Sequence, residues 1–205
     1  MKVKREHIEW CNIWVTAAPD EQTSRVALIG DSITQSYYGR VEQILAASFT
    51  CARLTTSKCV CDPSFSKELK LLLDEYPCSI IHLNNGLHGW DYTERAYAQS
   101  LKRTFSFIRS RWPESILIWA QTTPVRKNGA PQELDEQKTA RVRERNLLAR
   151  QIAFEQGIPV NDLYSVVEDH PEYYAPDGVH FAEPGVAALA SQVAQCILEL
   201  KAHGL

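Results

Sequence analysis

From Arg25 onward, short apolar and β-branched runs alternate with longer stretches whose apolar residues recur every three or four positions. Runs of the first kind predict strands covered on both faces, and stretches of the second kind predict helices with one apolar stripe. RVALIG (25–30) is the first strand, and a helix over about 35–47 follows it. TCARLTT (50–56) is the second strand, after which Pro63 opens a helix carrying Leu69, Leu72 and Leu73. SIIHLN (79–84) and SILIWAQ (115–121) are the third and fourth strands. Between them Leu101, Phe105 and Ile108 line one helical side until Pro113 interrupts the pattern. A helix over 135–156 stops near Gly157, and IPVND (158–162) supplies a fifth strand. A last helix from about Pro184 puts Val186, Leu189, Ala190, Val193 and Ile197 on one side. Such alternation is the signature of a five-stranded parallel sheet with crossover helices. Residues 1–24 read as an N-terminal extension packed on the body through Trp10 and Trp14, and 128–131 read as a loop. Residues 25–205 read as a single domain.

In an open parallel sheet, ligands bind where loops and helix N-termini converge at the carboxyl ends of the strands. Chemistry-capable residues fall there repeatedly. Asp31 and Ser32 follow the first strand, Thr56 and Ser57 the second, Asn84 to His88 the third, and Thr122 and Thr123 the fourth; Asp177 and His180 precede the last helix. Ser32 has two readings. It caps a helix, as Asp31 and Thr34 also can, or it attacks a substrate. The second reading gains from APDGVHF (175–181), a turn in which Asp177 can hold one imidazole nitrogen of His180 while the other faces a hydroxyl.

Composition narrows the classes. The chain has 205 residues, 44% hydrophobic and 23% charged, as in a soluble globular domain and unlike a disordered or fibrous chain. The net charge is −3. The densest basic group, Arg141, Arg143 and Arg145, is spaced around Glu144 as a solvated helix face would be, so nucleic acid is not an expected partner. Six cysteines form no CxxC pair; Cys59 and Cys61 have one residue between them, and reduced thiols without a metal are expected. No apolar run reaches membrane-spanning length, so membrane insertion is not expected. Nor does a secretory signal follow the basic start, and a cytoplasmic location is the expectation. Oligomeric state is not legible.

IGDSIT (29–34) together with PDGVHF (176–181) resembles the SGNH/GDSL hydrolase family, and NNGLHGW (84–90) sits where that family has its third sequence block. The similarity spans roughly residues 26–200. It implies a flavodoxin-like, three-layer α/β/α fold and a serine esterase needing no cofactor. Ser32 would be the nucleophile, His180 the general base and then acid, and Asp177 the residue orienting the imidazole. Two departures concern the oxyanion hole, to which the Ser32 amide belongs. RLTTSKCVCD (53–62) lacks the glycine usual in the second block, leaving the amide of Ser57 or its neighbour to donate. In the third block His88 stands where the family has asparagine; a neutral histidine donates one N–H if a second partner fixes its tautomer, and Asn85 is the fallback donor.

Other residues carry smaller expectations. Asp31 orders the nucleophile turn or simply caps the helix, and Asn84, Trp90, Thr122 and Arg126 are candidates to line a substrate pocket. His82 reads as a core histidine, while His7, His170 and His203 lack context. The expected substrate is a small acyl ester, such as an O-acetyl group on a carbohydrate. Thioesters and lysophospholipids are alternatives on the same scaffold. Two further readings compete: metal-assisted phosphoester hydrolysis through Asp31, Asp177, His88 and His180, and a binding module whose altered oxyanion loop has ended turnover.

Overall fold

A computed structural model describes residues 3–202, so His203 lies outside the described residues. Its strands are β1 (Cys11–Val15), β2 (Arg25–Gly30), β3 (Thr50–Thr56), β4 (Ile80–Leu83), β5 (Ile116–Ala120), β6 (Arg126–Lys127), β7 (Ala130–Leu134) and β8 (Val160–Asn161). Its helices are α1 (Ser32–Leu45), α2 (Pro63–Leu73), α3 (Glu94–Arg111), α4 (Glu136–Glu155), α5 (Leu163–Val167) and α6 (Glu183–Ala202). The main sheet runs β1-β3-β2-β4-β5-β8. All neighbours are parallel except β1, which pairs antiparallel with β3. The five parallel strands are those expected, in flavodoxin-like order.

The sheet nevertheless has six strands, not five, because the N-terminal segment contributes β1. An exposed edge strand lacks the buried apolar run that marks the central ones, and Trp14 on β1 remains 58% exposed instead of docking. Helix α1 begins at Ser32 rather than near Gln35, and residues 128–131 belong to the β6–β7 hairpin.

Strand β2 is buried along its whole length because helices cover both faces of the sheet. On one face Val26 and Leu28 pack with Val41 and Leu45 of α1 and with Leu189, Val193 and Ile197 of α6. On the other, Ala27 and Ile29 pack with Leu69 and Leu72 of α2 and with Leu101, Phe105 and Ile108 of α3. The reversal of strand order lies between β3 and β4, on either side of β2, so the loops after β2 and β4 border the crevice there.

His82 in β4 is fully buried, with Nε2 3.1 Å from Asn161 Nδ2 and Nδ1 without a partner among the described residues. Burial lowers its pKa from 6.5 to about 4, since a charged ring would lose its hydration. The unfolded chain therefore binds a proton that the native state refuses. Stability is complete above pH 6.5 and falls as the pH drops toward 4, by about 3 kcal/mol over that window. His82→Gln, which retains an acceptor for Asn161, is expected to flatten this part of the pH dependence in urea unfolding between pH 7 and pH 4.

Candidate active site

At the end of β2 the chain turns directly into α1. Asp31, extended at φ −118°, is the N-cap; its Oδ1 accepts the Ile33 amide at 2.9 Å. Capping is thus performed by Asp31, and the Ser32 hydroxyl is left for another partner. That partner is His180, whose Nε2 lies 2.8 Å from Ser32 Oγ across 148 residues of sequence. As the first residue of the helix, Ser32 also presents an amide that has no acceptor within the helix.

The opposite imidazole nitrogen is held by Asp177, whose Oδ2 lies 2.7 Å from His180 Nδ1. Asp177 Oδ1 accepts the amides of Val179 and His180, both at 2.9 Å. Partial burial raises the carboxyl pKa, but the hydrogen bonds from the His180 ring and the two amides outweigh it and hold the group below the usual carboxylate range. Asp177 is therefore ionised and acts only as an acceptor at neutral pH. The turn needs Gly178, at φ +72°, because a Cβ there would strike the Arg126 backbone.

Arg126, considered above as a substrate contact, is a buried strut instead. Its amide donates to the Gly178 carbonyl at 2.7 Å, and its guanidinium donates to the carbonyls of Pro131, Gln132 and Glu168. Asn84 and Thr122 are buried and line a small cavity beside Ile33 and Thr34; Asn84 Nδ2 donates to the Ala120 carbonyl at 2.8 Å and to Thr122 Oγ1 at 3.3 Å, tying β4 to β5.

The loop after β4 passes over the rim. Leu87 shares a small cavity with Ile33 and Thr34 of α1, while Gly89 abuts Cys59 in the loop after β3. His88 stands between Leu87 and Gly89 in the chain and faces the N-terminal segment. Its Nδ1 lies 2.9 Å from Glu6 Oε1. Asn85, the fallback donor, is buried and turned away: Oδ1 accepts the Val60 amide at 3.0 Å and Nδ2 donates to the Lys58 carbonyl at 2.7 Å. Its role is to clamp the two loops together. Ser57 also differs from expectation, because its amide donates to the Trp10 carbonyl at 3.1 Å and its hydroxyl accepts the Trp10 amide at 3.0 Å. The next residue, Lys58, donates its amide to Thr56 Oγ1 at 3.0 Å, and the Cys61 amide is directed at the Cys59 sulfur.

No family model and no curated protein matches the sequence, whereas many solved structures share its fold. The native aryl esterase from M. smegmatis superposes with a TM-score of 0.71 at 17% identity, covering 87% of this chain and 100% of that one. A GDSL-like lipase from Bacteroides thetaiotaomicron gives 0.69 at 16% identity over 90% and 92% of the two chains. A lipase/acylhydrolase from Enterococcus faecalis gives 0.64 at 20% identity over 85% and 95%. The chain has the SGNH/GDSL hydrolase fold.

Within this SGNH/GDSL fold, three supports of the rim were not legible in the sequence. Arg145 does not lie on a solvated face: it is fully buried, with Nε 2.8 Å from Glu94 Oε2. It donates to the carbonyls of Gly86 and His88 at 2.8 Å and of Gly89 at 3.1 Å, and so fixes the His88 loop. Arg141 also pairs with Glu94 and donates to the carbonyls of Trp90 and Tyr92, both at 2.8 Å. Trp90 lies beneath both guanidinium groups and forms one wall of a cleft of about 250 Å³ beside His88, opposite Lys4, Arg5 and Glu6. Arg141 and Arg145 stand in a polar stretch and Glu94 lies 47 residues before the first of them, so no periodic signal marks their pairing. The residues considered above as metal ligands bond elsewhere: Asp177 with His180, and His88 with Glu6. Among the described residues, no three His, Cys, Asp or Glu side chains gather to hold a metal ion, and no helix is long and apolar enough to cross a membrane.

Proposed function

We propose that this chain is a serine esterase that hydrolyses small acyl esters through an acyl-enzyme on Ser32. The observation that carries the reading is the continuous relay from Ser32 Oγ through His180 to Asp177, at 2.8 and 2.7 Å. His180 Nε2 takes the hydroxyl proton as Ser32 Oγ attacks the ester carbonyl, and Asp177 stabilises the resulting imidazolium. The tetrahedral oxyanion faces the Ser32 amide and the His88 ring, with an amide of the 57–62 loop as a third donor. His180 then passes its proton to the leaving alkoxide. Water, deprotonated by the same ring, attacks the acyl carbonyl and releases the acid.

A small acyl group suits the surroundings. The side chains of Asp177 and His180 are about half exposed, so the relay opens to solvent at a shallow rim. The cavity next to the Ser32 turn, lined by Ile33, Thr34, Asn84, Leu87 and Thr122, is about 10 Å³, which suits a compact group, such as a carbohydrate-borne acetyl ester, better than a long acyl chain.

The test combines labelling with a substrate series. A fluorophosphonate is expected to label Ser32, identified by peptide mass spectrometry, and a chelator is expected to leave turnover unchanged. Across p-nitrophenyl esters kcat/KM should be highest for acetate and butyrate and fall for palmitate. Failure of both labelling and hydrolysis would favour the binding-module reading; preference for a thioester or a lysophospholipid would keep the mechanism and change the substrate.

A further inference from the structure

We propose that Cys59 and Cys61 form a thiol–disulfide exchange site, in which Cys61 attacks a small anionic disulfide and Cys59 resolves the adduct. The proposal is independent of the esterase reading. The Asp62 amide donates to the Cys59 carbonyl at 2.8 Å, closing a turn that folds Cys61 back beside Cys59. Within this turn the two thiols hydrogen-bond to each other. Cys59 is buried, and a Cβ on Gly89 would lie 2.5 Å from its sulfur, so the loop after β4 walls that sulfur off. Cys61 is only half-buried. It lines a cavity of about 310 Å³ with Phe65 of α2 and with Ser100, Arg103 and Phe107 of α3. One sulfur thus meets the cavity, and its partner lies behind it.

The surroundings favour a thiolate on Cys61. The Arg103 guanidinium donates to Ser100 Oγ at 2.9 Å, and the Ser100 hydroxyl donates to the Cys61 sulfur. The charged groups facing the pair are Arg103 of α3, Arg145 of α4 with its partner Glu94, and Asp62. Asp62 is compensated: Oδ1 accepts the Ser64 amide at 2.8 Å, and Oδ2 pairs with Arg5 at 3.4 Å. The hydrogen bond from Cys59 holds the Cys61 thiol below its ordinary range; burial opposes this, while Ser100, Arg145 and Arg103 reinforce it. The same bond, together with burial, pushes the Cys59 thiol up. Burial also raises Cys11 and Cys196 to about 11, and Cys51 and Cys78 to about 12. The nucleophile is therefore Cys61. Its thiolate attacks one sulfur of a disulfide RS–SR, forming a Cys61–S–SR bond and expelling RS⁻ into the cavity. Cys59 then attacks the Cys61 sulfur and gives its proton to the second departing RS⁻. The two cysteines are oxidised to a disulfide, and the reagent is reduced by the same two electrons to RS⁻ and RSH. Arg103 in the cavity wall selects an anionic reagent.

The probe is dithiobis(nitrobenzoate), an anionic aromatic disulfide, added in equimolar amount to the reduced full-length protein at neutral pH. Two nitrothiolates should be released for each reagent molecule consumed, and the protein should keep no adduct. The tryptic peptide 59–67, which holds both cysteines, should be lighter by two hydrogen atoms and recover its mass with dithiothreitol. In Cys59→Ala a single nitrothiolate should be released and the adduct should stay on Cys61. In Cys61→Ala the rate should fall about 100-fold, because the remaining thiols are protonated at this pH. Arg103→Met should lower the ratio of the rate with this reagent to the rate with cystamine, a cationic disulfide, by about fivefold. That ratio cancels any change in the fraction of thiolate. Modification of Cys11 or Cys196 ahead of Cys61 in wild type, or a lasting adduct on Cys61 while Cys59 is present, overturns the proposal. So does an unchanged ratio in Arg103→Met. The first two outcomes are read on wild type, so a variant that fails to fold leaves the test intact.

Discussion

Ser32→Ala is expected to lower kcat for a short acyl ester by about a millionfold, the scale on which loss of a triad nucleophile is felt, with the thermal midpoint nearly unchanged. The structure separates the two effects. Capping of α1 is performed by Asp31, so alanine at position 32 removes the attacking oxygen without uncapping the helix. The Ser32 amide survives as well, and a small residual rate from oxyanion binding alone should persist. Had Ser32 been the cap, the same substitution would have cost stability of about 1 kcal/mol and left catalysis to another group. A variant that keeps more than about a tenth of wild-type turnover, after contamination is excluded by the absence of fluorophosphonate labelling, would end the acyl-enzyme reading.

The second large effect is expected at Asp177. Asp177→Asn should lower kcat by about 10⁴-fold, with KM changed little, because the defect is one of proton placement. The carboxylate now accepts from His180 Nδ1, which leaves Nε2 as the bare acceptor facing Ser32 Oγ at 2.8 Å. An asparagine can turn its NH₂ toward Nδ1, which drives the ring's proton onto Nε2, so the base has no lone pair for the hydroxyl. Asp177 also accepts two turn amides, and asparagine retains one acceptor for them, so the turn should hold. Single-turnover measurement of acylation separates this from slow release of product. If Asp177→Asn acylates at the wild-type rate, the imidazole is oriented by something else, and the turn amides would be the whole role of Asp177.

Ser32, Asp177 and His180 were legible as candidates because the signals that mark them are local. The run ending at Gly30 marks a strand buried on both sides, and the Pro176–Gly178 turn brings Asp177 and His180 together within four residues. Their meeting with Ser32 follows from the rule that parallel strands bring their carboxyl ends to one rim. The rim's supports were not legible. Asn85 and Ser57 lie where donors were sought, but their hydrogen bonds are taken by Val60, Lys58 and Trp10, and a motif cannot say which partners reach a side chain first. Arg145 read as solvated because α4 is polar around most of its circumference; the turn that faces α3 is nevertheless buried, and Glu94 supplies the countercharge that makes burying a guanidinium tolerable. Glu6 and His88 are 82 residues apart and meet only because β1 adds to the sheet edge and Trp10 anchors the strand before it.

What the amino-acid sequence determined by itself, then, is the order of strands and helices, the parallel core and the positions of Ser32, Asp177 and His180, since hydrophobic periodicity and short turns are properties of neighbours along the chain. What the tertiary structure alone decided is the edge strand β1, the burial of Arg145 and the partners of Ser57, Asn85 and His88. Those depend on which polar groups come within hydrogen-bonding reach once the layers have packed, and a hydrogen bond specifies its partner by distance in space, not by distance in sequence.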